Sequence, residues 1–225
     1  EDNPITINLT EGTFSSSTNG ETFPIVMGSY LKLIGQDVTS TIISDSFNGD
    51  MGMHCIACKE VFFQDFSYTG GPGIFIRESS IDIQMIHIYD TQPTISSASA
   101  WTHECALNVW YSTGSIRETK IYDNPRSGCC VAATNDFIIE DSEFINNKNV
   151  GLVHRVSDPD WNPQYTFDSI NFTVDNCIIS ETQGIGLHII NAQGSGANEL
   201  LDTPIFIKIL NSEISHTYSD CTAEP

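Results

Sequence analysis

One pattern recurs six times along the chain and constrains its folding more than any other feature. An apolar anchor is followed by a second position three residues on and an apolar position five residues on: Phe63, Phe66, Tyr68; Ile83, Ile86, Ile88; Ile116, Thr119, Ile121; Ile139, Ser142, Phe144; Val174, Cys177, Ile179; Ile209, Ser212, Ile214. Successive anchors lie 20, 33, 23, 35 and 35 residues apart. The unit is thus near 20 to 23 residues, and three of the gaps carry an insertion of about a dozen.

A second strip follows the anchor by twelve residues in three units: Gly128-Cys129-Cys130-Val131, Gly151-Leu152-Val153-His154 and Gly186-Leu187-His188-Ile189. Gly73-Ile74-Phe75-Ile76 and Ala106-Leu107-Asn108-Val109 are looser copies. Short polar corners separate the strips, among them Asp123-Asn124-Pro125, Asn146-Asn147-Lys148-Asn149 and Glu181-Thr182-Gln183. Segments this short, β-branched or aromatic on alternate positions, read as strands and not as helices. A unit of this length makes one turn of a solenoid whose coils pair edge to edge at about 4.8 Å, so equivalent positions stack in columns. The columns expected are Phe63/Ile83/Ile116/Ile139/Val174/Ile209 and Tyr68/Ile88/Ile121/Phe144/Ile179/Ile214. Leucine-rich repeats share the period but need repeated leucines, and only nine occur here. The reading is an all-β, single-stranded parallel β-helix of about seven to eight coils.

The 225 residues are read as one domain, with 1–30 as first coil and cap, 31–217 as coils and 218–225 as a polar tail. That tail is too short to cover the last coil, so the expectation is a module of a longer protein or a stacked subunit. A net charge of −20 with scattered Lys and Arg argues against nucleic acid. No apolar run reaches the roughly 18 to 20 residues a membrane span requires, and the first residues lack signal-peptide character. Seven cysteines, acidity and two glycosylation acceptors, Asn8-Leu9-Thr10 and Asn171-Phe172-Thr173, point to an extracellular glycoprotein with disulfides, Cys221 being available for a bridge.

On these repeats the chain resembles the right-handed parallel β-helix proteins of the pectin-lyase-like superfamily, above all members known only as right-handed β-helix regions. Glu11-Gly12-Thr13-Phe14, Asn19-Gly20-Glu21-Thr22-Phe23-Pro24-Ile25 and Leu31-Lys32-Leu33-Ile34-Gly35 are similar to the opening coil of a bacterial-type β-helix family. The resemblance runs from about Pro4 to Thr217. It implies the right-handed fold but no single activity, because the superfamily holds pectate lyases, polygalacturonases, other lyases, phage tailspikes, adhesins and non-catalytic scaffolds. The polygalacturonase strings Asn-Thr-Asp, Asp-Asp, Gly-His-Gly and Arg-Ile-Lys do not occur, and Gly184-Ile185-Gly186-Leu187-His188 is only an echo of the third. Inverting hydrolysis needs two carboxyls roughly 6.5 to 9.5 Å apart, which the Gly strips do not supply.

If Ile74, Leu107, Cys129, Leu152 and Leu187 face inward, then Phe75, Arg77, Asn108, Trp110, Cys130, Val153, Arg155 and His188 face outward. Insertions at 92–104, 155–167 and 191–203 flank this face and would wall a groove. Trp101, His103, Trp110, Trp161 and Tyr165 offer stacking faces for pyranose rings, and Asn108, Arg155 and His188 offer hydrogen bonds to hydroxyls. Trp101 and Trp161 would serve equally as plugs of their own loops. Arg155 and His188 are the candidates for elimination chemistry if the chain is an enzyme, and ordinary solvated side chains otherwise. Asp158 and Asp160 could hold Ca2+, and no other cofactor is implied. Cys55-Ile56-Ala57-Cys58 beside His54 has metal-ligand spacing without a second pair, which leaves packing or a disulfide. The primary reading is an extracellular, non-catalytic module for carbohydrate recognition or surface assembly. The alternatives are a polysaccharide lyase or glycoside hydrolase, and a filament subunit stacking through open coil ends.

Overall fold

The computed structural model describes residues 4–45, 52–92, 105–155, 169–190 and 204–216. Among them the chain winds through three parallel sheets, and each sheet pairs every strand with its counterpart one coil on. Sheet A has eight strands from Ile5–Asn8 to Ile205–Leu210, and sheet B eight from Gly12–Phe14 to Glu213–Ser215. Sheet C has seven: Ile25–Val26, Met53–Ile56, Ile74–Arg77, Cys105–Trp110, Ser127–Ala132, Val150–Arg155 and Ile185–Ile190. The solenoid expected from the period is the observed architecture.

Both predicted columns are ladders of paired residues. Leu33, Phe63, Ile83, Ile116, Ile139, Val174 and Ile209 stand in one register on sheet A, with Ile7 before them. Phe14, Ile43, Tyr68, Ile88, Ile121, Phe144, Ile179 and Ile214 do the same on sheet B. Their middle members are fully buried and form the continuous core. Ile209 and Ile214 in the last described coil stay 43% and 45% exposed, since no described coil stacks beyond them. The repeat pattern marks six of these coils; the two before them lack its spacing, because seven residues separate Ile7 from Phe14 and ten separate Leu33 from Ile43, not five.

The corner from sheet A to sheet B is a single left-handed residue, Asp65, Met85, Glu118, Asp141, Asn176 or Asn211, each at φ near +50°. Asp and Asn tolerate this conformation, and the backbone ladder continues through it, as in Asp141 N–H to the Asp175 carbonyl at 3.1 Å. The next residue points inward, and its N–H is met by a hydroxyl from the following coil: Thr119 donates to Ser142 Oγ and Cys177 to Ser212 Oγ, both at 3.1 Å. These bonds account for Ser142 and Ser212 at the middle position of the repeat.

At the polar corner from sheet B to sheet C, Asn124 and Asn147 are buried. Thr91 Oγ1 donates to Asn124 Oδ1 at 2.9 Å, Asn124 Nδ2 to Asn147 Oδ1 at 2.9 Å, and Asn147 Nδ2 to the Ile121 carbonyl at 3.0 Å. A stacked amide ladder thus satisfies polar groups inside the coil, where an unpaired one would be costly.

Candidate functional site

Sheet C carries the Gly strips, and its strands bend where those glycines sit. Ala106 and Leu107 both join the interior, whereas Cys105 packs with the outward residues, so two consecutive residues face in at the bend. A side chain at the first of them meets neighbouring coils. A Cβ on Gly128 would lie 2.6 Å from the Gly151 carbonyl oxygen, and one on Gly151 would lie 2.7 Å from Ile179 Cγ2. The recurrence of Gly at the start of each strip has this steric cause.

Beyond the bend the faces alternate. Met53, Ile74, Leu107, Cys129, Leu152 and Leu187 form the inward column. The outward columns are His54, Phe75, Asn108, Cys130, Val153, His188 and Ile56, Arg77, Trp110, Ala132, Arg155, Ile190. Cys129 and Cys130 therefore lie on opposite faces, as alternation requires.

The outward face differs from a solvated groove floor. Phe75, Cys105, Trp110, Cys130, Ala132 and Val153 form a second apolar cluster, all at most 7% exposed. Phe75 and Trp110 meet edge to face at 5.6 Å between centroids. Asn108 is 3% exposed and its Nδ2 donates to the Cys105 carbonyl at 2.8 Å. Asn108 and Trp110, expected as sugar-contacting groups, are thus components of a packed layer. Asn108 Oδ1, Trp110 Nε1 and His54 Nδ1 have no hydrogen-bond partner among the described residues. Burial lowers the pKa of His54.

Arg155 and His188 do come together. Arg155 pairs with Ile190 and Val153 with His188, so the two side chains leave the same face from adjacent strands, two residues out of register. Strand spacing and rise place their Cα atoms about 8 Å apart. Both are half-buried. Trp101, His103, Asp158, Asp160, Trp161 and Tyr165, with the insertions that carry them, lie outside the described residues. Of the sequons, Asn8 is exposed on its strand. Asn171 Nδ2, the atom that would carry a glycan, donates to Asp136 Oδ1 at 2.8 Å and Ser169 Oγ at 3.1 Å.

The electrostatics of this face are unlike the rest of the chain. No described strand of sheet C contains Asp or Glu, in a protein with 29 of them. The outward positions include His54, Arg77, Arg155 and His188, and Arg77 reaches the corner carboxylate of Glu78 at 2.8 Å. Among the described residues no three His, Cys, Asp or Glu converge to hold a metal. His54 faces outward while Cys55 and Cys58 face the core, which separates the three groups that metal spacing had suggested. The six described cysteines are buried and carry free thiols in this structure, so the disulfides expected from composition are not shown among them.

Alternation also exposes a residue that sequence reading passed over. His154 follows Leu152 by two and so faces inward, where it is fully buried and stacks on Phe172 at 4.0 Å and 11°. Neither ring nitrogen has a partner among the described residues, and burial lowers its pKa to about 4.

No curated protein matches the chain. Among solved structures it is similar to the A-module of mannuronan C-5 epimerase AlgE4 from Azotobacter vinelandii, at 12% identity and a TM-score of 0.44, covering 93% of this chain and 68% of that one. ORF18 of Geobacillus virus E2 is similar at 13% and 0.45, covering 81% of this chain and 42% of that one. Pectate lyase Pel9A is similar at 10% and 0.43, covering 99% and 71%. The family model described as "Right handed beta helix region" matches residues 63–217, the span that holds all six sequence repeats, and the chain belongs to that family.

Proposed function

We propose that this chain is an extracellular, non-catalytic β-helix that binds carbohydrate on the outer face of sheet C. One observation carries the reading: a chain of net charge −20 keeps carboxylates off the described strands of this sheet and sets His54, Arg77, Arg155 and His188 on its outer face. A face of this kind favours a ligand with hydroxyls and carboxylates, so uronate-containing glycans are the preferred class, bound by charge-assisted hydrogen bonds from Arg155 and His188. The described strands of sheet C carry no acid pair, which supports binding over hydrolysis, a reaction that needs one carboxyl as acid and a second as base or nucleophile.

A second reading draws on the proximity of Arg155 and His188. In elimination from a uronate, a base removes the proton α to the carboxyl group, the leaving oxygen departs from the adjacent carbon, and a cation holds the carboxylate. Both readings meet one experiment, a screen of uronate-containing and neutral polysaccharides by affinity electrophoresis and by ultraviolet absorbance of the unsaturated product. Expected are retardation by uronate polymers, no absorbance change, and retardation weakened at least tenfold in Arg155→Ala and His188→Ala. Product formation that disappears in Arg155→Ala would replace binding by lyase activity. No retardation by any polymer would remove the carbohydrate reading.

A further inference from the structure

The motif Cys55-Ile56-Ala57-Cys58 takes no part in the site described above, and its geometry is specific. Ala57 adopts φ of +54° at the end of Met53–Ile56 and turns the chain from sheet C toward sheet A. The turn directs both cysteines into the core, with Cys55 fully buried and Cys58 4% exposed. Both cysteines meet the same hydroxyl, the Cys58 N–H donating to Ser79 Oγ at 3.0 Å. Their thiol contacts are weak: Cys55 Sγ donates to Ser79 Oγ at 3.6 Å, and Cys58 Sγ to the Met27 carbonyl at 3.2 Å. Two cysteines three residues apart, on either side of one tight corner, directed into the same core and sharing one hydroxyl, need little backbone movement to bond.

We propose that Cys55 and Cys58 form an intrachain disulfide when the chain folds in the presence of a small-molecule disulfide such as oxidised glutathione. The more accessible Cys58, as thiolate, attacks one sulfur of the oxidant and releases one glutathione thiolate. Cys55, as thiolate, then attacks the Cys58 sulfur of the mixed disulfide and releases the second. Two thiol protons go to solvent, two electrons pass to the oxidant, and its S–S bond is replaced by the protein's. In the closed fold, burial and the neighbouring Cys58 push the Cys55 thiol up to about 12, so thiolate is scarce there and exchange is slow. The bond therefore forms before the corner closes and resists reduction afterwards. This inference does not rest on carbohydrate binding, and either can fail alone.

The next basic residue after Lys32 is Lys59, so trypsin releases one fragment, 33–59, holding both cysteines and no other. The whole chain is refolded in a buffer of reduced and oxidised glutathione, alkylated under denaturing conditions, digested and analysed by mass spectrometry. Fragment 33–59 is expected unalkylated and lighter by two hydrogens than the dithiol, and reductant is expected to lower the unfolding midpoint of the wild type but not of the double variant Cys55→Ala, Cys58→Ala. Recovery of fragment 33–59 with two alkyl groups, or joined to another cysteine fragment, would overturn the proposal. Cys105 and Cys130, which share the outer cluster of sheet C, lie in separate fragments, so a bond between them is read independently.

Discussion

On sheet A the outward residues Lys32, Phe62, Asp82 and Ile138 stay partly open to solvent and line a shallow groove with Ser115 and Arg117. On sheet C the matching outward positions, Phe75, Asn108, Cys130 and Val153, are buried to 7% or less. The backbone ladders of the two sheets are equivalent, each strand pairing with its counterpart one coil on. On sheet A charges of both signs sit in neighbouring coils and pair with each other, as Arg117 does with Glu140. On sheet C the strand positions are apolar or cationic, and a second packed layer lies outside the first. Within one solenoid, the face that departs from the chain's average charge is also the face that departs from ordinary surface burial. That coincidence supports the recognition proposed for it.

The comparison breaks most readily at Trp110. Trp110→Ala removes a 3% exposed indole from the outer layer of sheet C and is expected to cost about 3 to 5 kcal/mol in urea unfolding. A cost no larger than that of a sheet A surface change would show that the layer is not part of the cooperative fold.

The inner faces of sheets A and C meet where His154 stacks on Phe172, and acid tests that seam. Because its native pKa of about 4 lies below the ordinary 6.5, the unfolded state takes up the proton more readily. Stability is unaffected above pH 6.5, falls as pH drops toward 4, and is lowered by about 3 kcal/mol below that. Unfolding of wild type and His154→Leu measured at pH 7 and pH 4 should show this extra acid loss only in the wild type. Equal losses would place the acid sensitivity elsewhere.

The smallest expected effect sharpens the contrast from the other side. Arg117 and Glu140 form an ion pair on sheet A with side chains 41% and 35% exposed. Arg117→Ala should change the unfolding midpoint by an amount equivalent to at most about 0.5 kcal/mol, and less in high salt.

The winding was legible because its cause is periodic: Ile83, Ile116 and Ile139 must line one column, and β-branched anchors mark them. The side of the sheet to which Arg155, His188 and Cys130 belong followed from alternation. His154 was open to the same argument, two positions beyond inward Leu152. Burial of the outward face was not legible, because alternation assigns a side and says nothing of what lies over it. Trp110 and Asn108 therefore read as exposed. The burial of Asn124 and Asn147 was not legible for a related reason, since the stacked partners that satisfy them belong to neighbouring coils. Gly128 and Gly151 showed their recurrence in the sequence, but its cause is a contact between coils.

The columns stay in line although 33 residues separate Ile83 from Ile116 and only 23 separate Ile116 from Ile139. On either side of the extra length the strands keep the same register. A scaffold of this sort tolerates grafting: foreign segments spliced after Arg155 or Ile190 should leave Ile139, Val174 and Ile209 in their places, so the decoration can vary while the spindle beneath it does not.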